Sequence, residues 1–475
     1  MAISSYKSLD YTTFHNVING ELKGTPTSRH GINPATETPN PEVPVSTAED
    51  VDAAIRSAKG AFPGWAATPW EERRAAIQRY ADALESEAEE FAKLLTQEQG
   101  KPLQFAHQEL KDAIHWLRGT SALSLPEEVI REDATTRVIL RYTPLGVTAA
   151  IVPWNFPIML ACGKIGPSLT TGNPIILKPS PFTPYTALKL AELAQQFFPV
   201  GVVQALSGDD SLGPMLTAHP GVSKISFTGS TATGKRVMES AGRNLTRVTL
   251  ELGGNDAAIV CADADINTVA PAIASYAFHN SGQICIAIKR IYVHESIYPE
   301  FREKLVSFTN TLKLSTDPDA FLGPLQNKMQ YDRVNNLLVD ARAQGYTALA
   351  GGEAPNAGYF IPPTIIDNPP DGARVVTEEA FGPVVPLLSW STDDEVIRRV
   401  NDSEVGLGAS VWSTDLENAG KLARRIEAGS VWFNEHVEIE PGVPFSGHKG
   451  SGIGCEWGVE GLKGFCNVQA LYLKK

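Results

Sequence analysis

Residues 147–252 alternate between short apolar strands and helices without interruption, and this alternation leaves the chain few folds to adopt. Strand patterns fall over 147–152, 174–178, 202–206, 222–227 and 248–252. The gaps read as helices: one to about Leu169, one over 186–198 with Leu188, Leu190, Leu193 and Ala194 on or near one face, one to about Ala218 and one to about Ala241. Repeated strand–helix units with short connections predict an α/β domain with a largely parallel sheet. Such sheets bind ligands outside the carboxyl ends of their strands, and Lys178, Gly229 and Glu251 all fall at predicted strand ends. A second series begins at Asn255, with strands near 258–261, 291–293, 384–389, 409–412 and 431–434 and helices that include 299–312 and 329–343. A domain boundary is therefore expected near 253–255.

The flanks differ. Residues 46–118 read as helices, with Ser46-Thr47 as a capped start and Lys101-Pro102 closing the section after Gly100. Residues 135–142 (TTRVILRY) and 465–473 (FCNVQALYL) are isolated strand patterns. Pattern alone leaves them two readings, a bridge to another subunit or an edge of the main sheet.

Composition acts mainly by exclusion. The 475 residues allow about three domains. The 5 cysteines are odd in number and widely spaced, which excludes a disulfide framework and every C-x-x-C metal pattern. A cysteine that matters here matters as a reduced thiol. A net charge of −13 repels phosphate backbones, so no nucleic-acid partner is expected. The first twenty residues lack a basic-then-apolar leader pattern, and no run approaches about 18 apolar residues. The expectation is a cytoplasmic protein with no membrane partner.

Four places can carry chemistry. Gly229-Ser230-Thr231-Ala232-Thr233-Gly234-Lys235 follows a strand and opens a helix, whose free N–H groups attract phosphate. Arg236 stands where a triphosphatase loop needs Ser or Thr, so that activity is disfavoured; an ordinary strand–helix turn fits equally. Cys285, in NSGQICI, lies in a loop without apolar period, whereas Cys162, Cys261 and Cys466 sit among apolar neighbours as packing residues do. A thiol of pKa about 8.5 needs a base or a positive field to react at neutral pH. Glu251 ends an apolar strand before two glycines, and a carboxylate buried there can serve as a base. Asn155, in the stiff segment PWNFP, can donate to a developing oxyanion or simply bond its own turn.

PWNFP (153–157), KPS (178–180), FTGS (227–230), ELGG (251–254), GQIC (282–285), EEAFGP (378–383) and PFSGHKGSG (444–452) occur in one order. Together they resemble the NAD(P)-dependent aldehyde dehydrogenase superfamily, from about Phe14 to Lys475. The resemblance implies a Rossmann-type cofactor domain over 1–122 and 145–252, an α/β catalytic domain over 253–445, and a small β bridging or oligomerisation domain over 123–144 and 446–475. It tips the two isolated strands towards subunit bridging, hence a homodimer or homotetramer.

It also implies roles. Cys285 would add to the aldehyde carbon, and Asn155 with the Cys285 N–H would hold the oxyanion. Hydride loss would leave a thioester, which Glu251 would hydrolyse through water; Glu456 matches a further glutamate assisting proton transfer. Lys178 would contact the adenosine ribose, with Trp154, Gly208, Gly229 and Ser230 around the adenine and pyrophosphate; Ser180 and Leu252 would be further cofactor-binding positions. Glu379 would bind the nicotinamide ribose and Phe381 the ring side. Phe156, Met159, Ile284, Ile286 and Phe445 match positions that line the family's substrate tunnel, favouring an aliphatic or aromatic aldehyde; Glu435 and His436 would add polarity at its entrance. Pro181 replaces a glutamate that in many members repels a 2′-phosphate, so NAD+ is placed first and NADP+ stays open. Cys455 replaces an arginine common beside Glu456. Three alternatives compete: a coenzyme-A-acylating relative, against which Glu251 argues; a cofactor-free cysteine hydrolase using His279; and a non-catalytic binding protein on the same fold, against which the joint presence of Cys285, Glu251 and Asn155 argues.

Overall fold

The computed structural model describes residues 6–351, 355 and 357–475. Residues 1–5 of the expected cofactor domain lie outside the described residues. The first alternating series forms the middle of an eight-stranded sheet. Its five parallel strands run, across the sheet, Val203–Ala205, Ile175–Lys178, Thr148–Ile151, Lys224–Thr228 and Arg247–Glu251. In chain order that is 3-2-1-4-5, so the order reverses between Thr148–Ile151 and Lys224–Thr228. Crevices at such switch points receive dinucleotides. The edges are antiparallel additions: Asn16–Ile18 with Glu21–Lys23 on one side, Gly452–Ile453 on the other.

The strands read as continuous apolar strings because both faces are covered. Ala149, Ile151 and Ile225 join one apolar layer, whereas Ala150, Ile175 and Leu177 join the opposite one. The second series forms a six-stranded parallel sheet, ordered Thr364–Asp367, Val384–Trp390, Ile288–His294, Asp256–Val260, Gly408–Trp412 and Ser430–Phe433. Ile259 and Ala258 divide between its two apolar layers in the same way.

The helices Ala48–Ala67, Trp70–Ser86, Ala88–Gln99 and Leu103–Ala122 cover 46–118 as expected. Thr47 caps the first: its hydroxyl accepts the Asp50 N–H while the Asp50 carboxylate accepts the Thr47 N–H, a capping box worth about 1 kcal/mol. Gly100 ends the third in the left-handed region, at φ 94°.

The isolated strands are not an edge of the main sheet: Cys466–Lys474 pairs with Thr136–Pro144, and Glu128–Glu132 completes a three-stranded antiparallel sheet. Of the C-terminal segment 446–475, Cys466–Lys474 is the part that joins this three-stranded sheet. His448–Lys449 pairs with Val405–Gly406, and Gly452–Ile453 pairs with the strand ending at Glu251. Gly452–Ile453 completes the eight-stranded sheet, whereas His448–Lys449 and Val405–Gly406 form a separate two-stranded sheet. The strands Ser28–Ile32 and Pro39–Pro44, paired only with each other, had no sequence signal. Both are short, and the second holds three prolines.

Candidate active site

Three loops converge where the two large sheets meet. Asn155 follows the strand Thr148–Ile151, Glu251 ends its own strand, and Cys285 lies between the turn His279–Gly282 and the strand Ile288–His294. Asn280 and Ser281 adopt φ of 49° and 55°, and Gly282 one of 71°. Left-handed backbone at non-glycine residues costs free energy and gathers at functional sites. At Gly282 a Cβ would run into the Gly382 carbonyl, so glycine is required.

Cys285, Glu251 and Asn155 all line one cavity of about 530 Å³. Phe156, Met159, Ile284, Ile286 and Phe445, the expected tunnel residues, line it too. So do Trp116, Tyr276, Trp457 and His279, which sequence reasoning did not place in the wall. Of the expected polar pair, His436 lines the cavity, whereas Glu435 is exposed and Glu438 takes its place in the wall. Asp112, Glu438 and Glu440 make the mouth acidic.

Glu251 is 5% exposed, and among the described residues neither carboxylate oxygen has a hydrogen-bond partner. Burial, then the nearby Glu456 charge, pushes its carboxyl up to about 8; the Cys285 thiol and Lys164 pull the other way. Burial and Glu251 in turn hold the Cys285 thiol well above its ordinary value, partly offset by Lys289. Carboxyl and thiol thus face each other, and the ionised form of Glu251 is the one able to take the thiol proton.

Behind Glu251 lies a buried polar chain. Lys164 Nζ donates to Glu456 Oε1 at 2.5 Å, to Thr228 Oγ1 at 2.9 Å and to Ser226 Oγ at 3.1 Å. Lys164 was missed, although a lone charge in the helix Pro157–Thr170, buried at all its positions, was a usable signal. Glu456→Gln should remove the repulsion acting on Glu251 and lower its pKa by roughly one unit. The pH midpoint of whichever step Glu251 catalyses should move down accordingly, a shift that a pH–rate profile reads directly.

Asn155 is 4% exposed; its Nδ2 donates one hydrogen to the Gln283 carbonyl at 3.0 Å, which leaves the other free for a ligand. His279 packs edge-on against Phe105, 4.5 Å between centroids. Burial, then the charge of Lys101, pushes it down to about 4. It stays neutral at pH 7 and is too weak a base to serve a cysteine hydrolase.

The expected cofactor residues gather at the switch point. Trp154 meets Phe381 edge-on at 5.3 Å. Lys178 is buried at its strand end, and burial pushes it down to about 8. Ser180 Oγ accepts the Phe182 N–H at 3.2 Å. The Pro181 carbonyl accepts from Arg29, whose guanidinium also lies 3.5 Å from the Gly208 carbonyl. The Gly229 N–H donates to the Glu251 carbonyl at 3.1 Å, and Ser230 caps the helix Thr231–Gly242. Leu252 is buried against Gly234. Glu379 accepts the Gly254 N–H at 3.2 Å and lies 3.4 Å from Lys289. A Cβ on Gly253 would strike the Glu379 carboxylate, so the glycines keep this crevice open beside a carboxylate. A helix N-terminus, a lysine at a strand end, an aromatic wall and a carboxylate suit a dinucleotide's phosphate, ribose and ring parts.

The aldehyde dehydrogenase family model matches residues 23–471. The chain belongs to the aldehyde dehydrogenase family. It is similar to aldehyde dehydrogenase LUC3 of Fusarium sp, 43% identical over 98% of this chain and 100% of that one. It is similar also to phenylacetaldehyde dehydrogenase of Pseudomonas fluorescens, 37% identical over 93% and 91% of the two chains. Among solved structures, betaine aldehyde dehydrogenase of Staphylococcus aureus in complex with NAD+ superposes with a TM-score of 0.93 at 32% identity, covering 96% of this chain and 94% of that one. As an aldehyde dehydrogenase, the protein is an oxidoreductase that oxidises aldehydes to carboxylic acids.

Proposed function

We propose that this chain oxidises an uncharged aliphatic or aromatic aldehyde with NAD+ through a covalent intermediate on Cys285. One observation carries the reading: a thiol, a buried carboxyl and a free amide hydrogen, from three separate segments, line one largely apolar cavity.

Glu251 takes the thiol proton, and the Cys285 sulfur bonds the aldehyde carbon while the carbonyl electron pair moves to oxygen. Asn155 and the Cys285 N–H hold that oxyanion. Lys178 and Glu379 would hold the two ribose units, Ser180 and Gly208 would border the adenine end, Gly229 and Ser230 would serve the pyrophosphate, and Phe381, with Trp154 against it, would serve the nicotinamide, with Leu252 lining the crevice beside Glu251. When bound, the dinucleotide accepts the hydride. The thioester left on Cys285 is then attacked by water whose proton Glu251 removes, and the sulfur leaves as the carboxylic acid forms. Lys164 and Glu456 carry the proton onward.

The cavity's acidic mouth opposes substrates that bear a carboxylate. The test is a panel of uncharged and carboxylated aldehydes with NAD+ or NADP+, followed by absorbance of the reduced dinucleotide. Turnover of none of them would sink the proposal. Cofactor choice turns on Pro181, beside which Arg29 places a positive charge. Pro181→Glu should lower kcat/KM with NADP+ by roughly tenfold against NAD+, since a carboxylate near a 2′-phosphate costs more than 1 kcal/mol. An unchanged ratio would remove residue 181 from the selectivity.

A homodimer or homotetramer in the cytoplasm accompanies this reading. Support for subunit contact comes from the strand Cys466–Lys474, which exposes Val468 and Tyr472 along a sheet edge. In this reading the domain division stands as expected from the sequence, save that only 466–474 of the C-terminal segment serves the bridge.

A further inference from the structure

We propose that the buried ion pair of Lys101 and Glu109 is the positioning device of the oxyanion site, setting where Asn155 presents its free amide hydrogen. The inference rests on the reading of Asn155 as the oxyanion donor.

Both side chains are wholly buried. The pair is saturated with contacts, and almost all of them go to the segment 155–159. Lys101 Nζ donates to Glu109 Oε2 and, at 3.0 Å, to the Asn155 carbonyl; its third side faces the Phe156 ring, 3.7 Å from the centroid. An ammonium has three hydrogens, and here each has a partner. Glu109 Oε1 accepts the N–H groups of Ile158 at 2.9 Å and Met159 at 3.2 Å.

The helix Pro157–Thr170 explains why that acceptor comes from elsewhere. Its N-cap is Phe156, which has no side-chain acceptor, and Pro157 has no N–H. The first amides in need of a partner are those of Ile158 and Met159. Glu109, from the neighbouring helix Leu103–Ala122, does the work of a capping side chain. Lys101 reaches the same place because the left-handed Gly100 turns the chain just before it. Asn280, from the Cys285 loop, adds a second donor to the Asn155 carbonyl at 3.2 Å.

Asn155 is therefore gripped through its carbonyl and through the two amides that follow Pro157. The side chain has a single anchor, the Gln283 carbonyl. An oxyanion donor acts over a narrow window of distance, and a displacement near 1 Å costs roughly 100-fold in rate. An apolar pair of the same volume would fill the space but would leave the Asn155 carbonyl and two helix amides less well held.

The test is a double-mutant cycle on the full-length protein, with circular dichroism and dinucleotide affinity as controls. Lys101→Met with Glu109→Gln neutralises the pair at nearly constant volume. It should lower kcat by roughly 30- to 100-fold while the KM for the dinucleotide changes less than about twofold. In an Asn155→Ala background the same change should cost less than about threefold, because the group through which the pair acts is gone. Equal losses in both backgrounds would overturn the proposal and leave the pair as a fold-stabilising contact. If the double replacement does not fold, Glu109→Gln alone enters the same cycle with the same two outcomes. Full activity in Asn155→Ala itself would instead defeat the underlying reading of the oxyanion site.

Discussion

Cys285→Ala should lose roughly 1000-fold or more of its aldehyde-dependent dinucleotide reduction and keep its fold. The large effect follows from covalent capture. Without sulfur there is no tetrahedral adduct from which hydride can leave, and binding plus the oxyanion donors supply only a residual rate. The small structural cost follows from placement: Cys285 is half-buried in a loop beside a cavity. Cys162 makes the contrast. It is fully buried in the Pro157–Thr170 helix. Its replacement by alanine should cost about 1 kcal/mol of stability through the lost contact volume and leave turnover intact. Steady-state rates and melting curves of the two variants separate the roles. Retained turnover in Cys285→Ala would remove it as nucleophile.

The second large effect is expected at Glu251. Glu251→Gln should slow activation of the thiol and, more strongly, hydrolysis of the thioester, so that kcat falls by roughly 100- to 10,000-fold and acyl-enzyme accumulates. Mass spectrometry of the protein should find the acyl group on Cys285. The pH dependence adds an independent check. Burial and Glu456 push the Glu251 carboxyl up to about 8. Since the base form is needed, deacylation in the parent should climb with pH to about 8 and then level, whereas the Gln variant should be flat.

The same shift has a stability sign. The folded chain holds the Glu251 proton longer than the unfolded chain, whose carboxyl has its ordinary value of 4.5. Between about 4.5 and 8 the native state binds more protons, so this group lowers stability as pH rises through that window. Glu251→Gln should therefore melt above the parent at pH 8 and lose the advantage near pH 4. The reverse order would contradict the burial of that carboxyl.

Parts of this were legible from residue order alone, for physical reasons. The parallel strands were visible because a strand covered on both faces is a plain apolar string, as in Ile175–Lys178. Cys285, Glu251 and Asn155 were visible because each lies at a strand end or in a loop with a local signature. The supporting charges were not. Lys101, Glu109 and Lys164 act on partners 54, 49 and 292 residues away, and no local pattern encodes such a pairing. The acidic cavity mouth was hidden for the same reason, since Asp112 and Glu438 meet only in the folded chain. The short antiparallel additions to the sheets escaped because strands of two or three residues have no period to detect.

The wide sequence separation of the Lys164–Glu456 pair bears on how the protein is made. A ribosome adding about 5–20 residues per second needs about 15–60 s to travel from the first partner to the second. During that interval Lys164 sits in an apolar helix without its counter-charge, and the strand Arg247–Glu251 lacks its antiparallel neighbour Gly452–Ile453. The nascent chain therefore carries an unfinished sheet edge and an uncompensated lysine while it waits. The ion pair behind Glu251 is therefore completed only after translation has passed residue 456.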